Sequence, residues 1–499
     1  MSTAIPTPAR PTYGNWIAMR SPGLGNTGML GTLIIMGGLI VTMFALLLGG
    51  WKGGASTALV ALALFTAFGT PAGRWCGTRI AYWHQVNKRE HQWRSGMFSR
   101  NKDHEVRLPG MLGKTTLLSK TDAFGNEFAV IQNPRKGGLY TVVARCTAEG
   151  PALQDQHRID IWVSNWGGVL ASMGQEHALI CGKAITDTAP DPGGRLAALV
   201  HSSRSDEAPT ITREVMEECL ATYPAASSEN VTYIEMVFRG RDLNKRGQEE
   251  AILTELARKV PSILGQVQLS GGGAVEMLGP NDLPKVIRAA YDPGAARFIE
   301  AAELAGLDTG DANVAWKDAG PVAEQAFWDH LVHDSGRSVT WEMIALPRAA
   351  ITELAMSNLL RPHNDFVRKR VALIYRPHSP EQSTKVSETD ANTAMFNAKT
   401  TKKRITALAE VSMKSAEQAR QEVAYGAALV RFALMITATV GNGDDLGQAA
   451  ATIESLAGSI PLRLRRCYGT QSSAFAATLP VGFVPWEHTT IPTKVRELM

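Results

Sequence analysis

Cysteine is scarce in this chain of 499 residues: Cys76, Cys146, Cys181, Cys219 and Cys467 are widely scattered, and no CxxC pair occurs. An odd, dispersed set excludes a disulfide framework and a zinc knuckle, and agrees with a reducing compartment. The GxSxG elbow of a serine hydrolase and the HExxH of a zinc protease are absent too. Eleven histidines therefore stand without a catalytic constellation. Acidic residues are also missing from the chain before Glu90. Residues 1–104 hold ten Lys or Arg against Glu90 and Asp103, a net of +8, so the whole-chain +4 leaves −4 for residues 105–499. A basic excess confined to one end fits attraction to anionic lipid. A nucleic-acid binder carries its excess on the folded body, so nucleic acid is not the favoured partner.

That basic end also contains two long uncharged runs. Residues 29–50 form the first, and at 1.5 Å per residue a helix of that length crosses a hydrocarbon core of roughly 30 Å. Residues 53–73 form the second, richer in Ala, Thr and Gly. The expected structure is a transmembrane helical hairpin over residues 28–73, joined at Trp51–Gly54, with Gly37, Gly38, Gly49 and Gly53 allowing close backbone approach. A cleaved signal peptide has a shorter apolar region and a cleavage site, and a buried soluble hairpin has a polar stripe. Neither pattern is present.

Flanking charge sets the expected orientation. Arg10 and Arg20 precede the runs, Lys52 alone lies between them, and Arg74, Arg79, Lys88, Arg89 and Arg94 follow. Both termini are expected in the cytoplasm and the protein in the inner (cell) membrane as a multi-pass chain. Trp51 and Lys52 would mark the outer interface, and Arg74, Trp75, Arg79, Tyr82 and Trp83 the inner one. The resulting division is a tail over 1–27, the hairpin over 28–73, a basic aromatic helix and linker over 74–106, a first α/β unit over 107–269, a helical elaboration over 270–335 and a second α/β unit over 336–499.

In the body, alternating and helical periodicities predict strands at 116–120, 128–132, 139–146, 177–185, 231–239, 338–346, 370–376, 430–440 and 462–468. Helices are predicted around Ile159–Met173 and at 210–223, 249–264, 283–290, 295–305, 348–360 and 444–459, with one long polar helix over 387–425. The fold class read from this is α/β, layered α+β in ferredoxin-like units, below the membrane hairpin. No internal repeat is visible.

Four stretches invite a chemical reading. Leu108–Thr116 (LPGMLGKTT) contains GKTT, but a phosphate loop needs glycine where Leu108 stands, a buried strand before it and a magnesium-binding aspartate downstream. Gly441–Gly447 lies at a strand-to-helix turn, where Asp444 and Asp445 cap the helix instead of admitting a diphosphate. His330 and His333, placed on one side of a possible helical turn beside Asp329 and Asp334, lack a third ligand for zinc. Ser270–Gly273 reads as a turn. Basic clusters at Lys399, Lys402, Lys403 and Arg404, at Arg368, Lys369 and Arg370, and at Arg463, Arg465 and Arg466 read as solvated surface on a net acidic body. No catalytic residue, cofactor or metal is assigned.

With these residues laid out, the chain resembles an actinobacterial family of conjugation-associated membrane proteins, in which a PrgI-like two-helix module is fused to a domain like the non-motor N-terminal domain of type IV secretion ATPases. The matching segments are the hairpin followed by Arg94–Gly96, then Leu108–Gly110, Tyr291–Pro293, Gly320-Pro321 with Trp328, Trp341–Pro347, Gln471–Phe475 and Leu479-Pro480. The resemblance implies a non-enzymatic scaffold without a motor, partnered by a secretion ATPase, other apparatus subunits, membrane lipid and further copies of itself. It supplies no catalytic residues. A membrane component of a type VII secretion system and a membrane-tethered nucleotide hydrolase using Lys114 are the alternatives.

Overall fold

The computed structural model describes residues 28–64, 71–96, 99, 105–148, 150, 154–190, 194–203, 205, 208–226, 228–306, 313–345, 352–400, 407–458, 460 and 462–487. They fall into two compact units: one built on Ala18–Gln92, and a body made of Trp93–Cys467 and Gln471–Val484.

In the first unit, α1 (Gly28–Leu64) is a 37-residue helix interrupted at Gly50, whose φ of 64° lies in the left-handed region that glycine enters without a Cβ penalty. The interruption folds the helix back on itself. A Cβ on Gly38 would lie 2.6 Å from that of Ala61, whereas in a straight helix those residues would be about 35 Å apart. A shallow groove lined by Gly37, Gly38, Val41, Thr57, Val60 and Ala61 runs between the two arms. A second helix, α2 (Pro71–Asn87), starts on a proline that presets helical φ.

The body begins at β1 (Gln92–Arg94), and then two sets of elements follow one another. The first comprises β2 (Thr116–Thr121), β3 (Glu127–Asn133), β4 (Leu139–Thr147), α3 (Gln156–Gln175), β5 (Leu179–Pro190), α4 (Gly194–Ser202) and α5 (Thr210–Ala226). It continues with β6 (Ser228–Arg239), the single turn α6 (Gly240–Leu243), α7 (Glu249–Val267) and β7 (Ala274–Met277). Helices α8 (Asp282–Tyr291) and α9 (Ala296–Leu304) then connect to the second set. That set comprises β8 (Ala323–Ala326), β9 (Leu331–His333), β10 (Gly336–Ala345), α10 (Ser357–Leu360), β11 (Arg368–Pro377), α11 (Pro380–Thr400), α12 (Ala407–Ala424), β12 (Val430–Gly441), α13 (Leu446–Gly458) and β13 (Arg463–Arg466). A last short helix is α14 (Gln471–Ala477).

All thirteen described strands join one sheet, ordered β1-β8-β9-β10-β12-β11-β5-β6-β4-β3-β2, with β13 added to β10 and β7 to β4. The order is a duplication. Within the first set, β4, β5, β6 and β7 take the order β7-β4-β6-β5, and within the second, β10, β11, β12 and β13 take β13-β10-β12-β11. Each set adds the preceding hairpin, β2-β3 or β8-β9, beside its β4 or β10. Each also inserts a pair of helices between its second and third core strands, α4 and α5 or α11 and α12. The two halves meet where β5 and β11 pair antiparallel, Ile185 opposite Ala372, so an approximate two-fold axis passes between those strands.

The duplication is hidden in the sequence because corresponding elements differ in length and composition. The crossover α3 has 20 residues, while its counterpart α10 has four; the rest of the helix expected at 348–360 is turn or lies outside the described residues. The single helix expected over 387–425 is instead the pair α11 and α12, which pack on each other. Their outer ends converge: His378 N–H donates to Leu429 O, and Leu429 N–H donates to the Ser383 hydroxyl. Residues 270–335, expected to be helical, also supply β7, β8 and β9.

One face of the sheet carries α3, α7 and α13. On α7 the buried side chains Ile252, Leu253, Leu256, Val260, Ile263 and Val267 recur at helical spacing and pack with α3 on Val142, Ala144, Ile234 and Met236. In the second half Ile453 of α13 packs with Val339, Trp341, Leu434 and Ile436. Asp445 accepts the Gly447 N–H at 2.7 Å at the start of α13. Asp445→Ala is expected to cost about 1 kcal/mol of thermal stability, and a melting point unchanged from wild type would remove that cap from the account.

The opposite face is closed by α14 and residues 478–484. The side chain of Gln471 accepts the Thr340 N–H, and the Thr478 hydroxyl meets that of Thr437 at 2.9 Å. Further on, Gly482 N–H donates to Glu235 at 3.0 Å. There a Cβ would sit 2.3 Å from the Thr141 hydroxyl, and φ is 71°, so only glycine fits. This strap crosses from the second half to the first. The segments Gln471–Phe475 and Leu479-Pro480, noted in the sequence, thus have a packing role.

Candidate functional site

The positions expected at a membrane interface lie in the first unit. Trp51 is 75 % exposed beside the Gly50 fold, and the Lys52 ammonium lies 5.9 Å from its ring centroid. On α2, Trp75, Arg79, Tyr82 and Trp83 follow the i, i+4, i+7, i+8 spacing of one face; Tyr82 is half-buried and the others are exposed. The Arg74 side chain lies outside the described ones. Along α1 the outward side chains are large and apolar, including Leu39, Ile40, Phe44, Leu47 and Leu48, the last 88 % exposed. Among the described residues no helix is long and apolar enough to cross a membrane.

The GKTT segment does not form a phosphate loop. Gly110–Lys114 is a 3-10 turn that leads into strand β2, where a phosphate loop needs a helix to follow. The Thr115 hydroxyl is buried on Leu112 O at 2.7 Å, and Lys114 is exposed. The histidine pair is not on a helical turn either: His330 lies in the tight connection before β9, stacked on Phe327, and His333 is in β9. Among the described residues no group of His, Cys, Asp and Glu could hold a metal ion. Buried thiols are held protonated, burial pushing Cys146 and Cys467 up to about 12. Of the basic clusters, Lys402, Lys403 and Arg404 lie outside the described residues, as does the Lys399 side chain. Arg463 and Arg465 are exposed on β13.

The third cluster is not surface. In β11 the two-residue period sends Arg368 and Arg370 to the strap side and Lys369 to the helix side, and Lys369 and Arg370 are each 1 % exposed. Lys369 donates to Arg361 O. Burial alone moves its ammonium down to about 8. Arg368 meets Asp187 of β5 at 3.1 Å. Next along the same face, Lys183 of β5 stands 2.9 Å from Glu235 of β6, both side chains fully buried, though the pair is not aligned as a hydrogen bond. Beside Arg370 runs a hydroxyl ladder: Ser338 to Thr439 at 2.8 Å and Thr340 to Thr437 at 2.9 Å.

His333 and Glu324, directly opposite each other in β9 and β8, titrate in opposite senses. The His333 ring donates from Nδ1 to Tyr291 O, and its Nε2 meets the Ser338 hydroxyl at 2.7 Å. Burial pushes it down to about 4 from 6.5. Its contribution to stability is complete above 6.5 and is lost as pH falls through 4. Burial pushes Glu324 up to about 7 from 4.5, against the lowering effect of the Ser472 hydroxyl. Its contribution is complete below 4.5 and is lost as pH rises through 7. In wild type the two slopes oppose each other. Thermal melts of His333→Gln are expected to lose about 3 kcal/mol between pH 4.5 and 7, and those of Glu324→Gln about 3 kcal/mol between pH 6.5 and 4. Parallel pH profiles in the two variants would contradict this.

No family model matches the chain, and no curated protein matches it.

Proposed function

We propose that the chain is a membrane-anchored docking component of a conjugative, type IV-like secretion apparatus, with no reaction of its own, that recruits a separate ATPase. One observation carries the reading. The arms of α1 close on each other through Gly38 and Ala61 yet turn Leu39, Phe44, Leu47 and Leu48 outward, an apolar surface that water disfavours and lipid accepts. In this reading the arms cross the inner membrane with both termini in the cytoplasm. Trp51 and Lys52 sit at the outer interface, and Arg74, Trp75, Arg79, Tyr82 and Trp83 at the inner one. The body is a pair of ferredoxin-like units, and it meets the ATPase, other apparatus subunits and further copies of the chain. Its support is a duplicated sheet with inserted helix pairs and no phosphate loop at Lys114.

Affinity capture of the tagged full-length chain from detergent-solubilised membranes of its own cells tests the docking role. A secretion ATPase is expected among the recovered proteins. Capture that yields membrane proteins but no ATPase or coupling protein contradicts it.

A further inference from the structure

Where the two halves of the sheet join, the face under the strap holds more positive charge than negative. Lys183 is balanced by Glu235 and Arg368 by Asp187. Arg370 is left over. It is 1 % exposed, and its Nε, Nη1 and Nη2 have no hydrogen-bond partner among the described residues. Its guanidinium lies 4.6 Å from the Phe475 ring centroid, a contact that favours a cation but satisfies none of its donors. Its cross-strand neighbours are Asp187 on one side and Thr437 on the other. Asp187 keeps one oxygen, Oδ1, without a partner, but a single carboxylate between two guanidiniums leaves one positive charge whichever it serves. Burial lowers Arg370 only to about 10, so it is charged at neutral pH.

An unpaired buried guanidinium is strongly unfavourable, and a fork of N–H donors is the geometry that gathers an anion. We propose that Arg370 holds one small monovalent anion of the halide class at the junction of the two halves, beneath Phe475. A water molecule would meet the donors and leave the charge. A divalent oxyanion would overcompensate an excess of one.

The test uses the purified full-length chain. In crystals grown with bromide, an anomalous peak is expected within hydrogen-bonding reach of the Arg370 guanidinium. At matched ionic strength, chloride in large excess is expected to raise the melting point by about 2–5 °C over gluconate, a bulky organic anion, with saturation. Arg370→Met should abolish the difference. If that variant does not fold, the bromide map and the chloride–gluconate comparison on wild type decide alone. Density at Arg370 without anomalous signal, or equal melting in the two salts, overturns the proposal.

Discussion

Replacing Glu235 by alanine is expected to destabilise the body by about 3–5 kcal/mol, because Lys183 is left charged, fully buried and without a counter-charge. The carboxylate also accepts the Gly482 N–H of the strap, so the same change frees a second donor in the interior, at about 1–3 kcal/mol. Removing both charges separates the two contributions. In Lys183→Met with Glu235→Leu no unpaired charge remains, and the double variant is expected to melt closer to wild type than either single variant does. It should stay below wild type by the cost of the orphaned Gly482 N–H. Additive losses in the double variant would show that Lys183 and Glu235 do not act as a pair.

The second large effect concerns α1. Deleting residues 28–64 removes both arms and their outward apolar side chains, while every strand of the sheet lies beyond Asn87. The shortened chain is expected to leave the membrane fraction, dissolve without detergent and retain cooperative melting of the body. Persistent sedimentation with membranes would place the anchor elsewhere, with the basic face of α2 as the first suspect. Washing with high salt separates that case, since exposed Arg79 is screened by salt and apolar burial is not.

Periodicity alone located most of the body's elements. The strands β2, β3 and β4 follow from β-rich runs punctuated by Asn133–Gly138, and α3 and α7 from apolar residues at helical spacing. Arg368, Lys369 and Arg370 were legible as charge but not as interior, because a local cluster of cations normally faces water. The usable signal was their position at the head of VALIY, a run apolar on both faces and therefore suited to a central strand. The pairing of β5 with β11 joins residues nearly two hundred positions apart, and no local pattern encodes it. The short strands β7, β8 and β9 were not legible, since they fall in the stretch 270–335 that reads as a helical elaboration; β13 lies inside the strand expected at 462–468, and although three of its four residues are arginine, β10 pairs with it.

The proposed membrane anchor is tested most directly by extracting membranes of cells that express the full-length chain, first with alkaline carbonate and then with detergent. The protein is expected to stay in the carbonate pellet and to enter solution only with detergent. Full-length protein in the carbonate supernatant, or in the cytosolic fraction before any extraction, would contradict it.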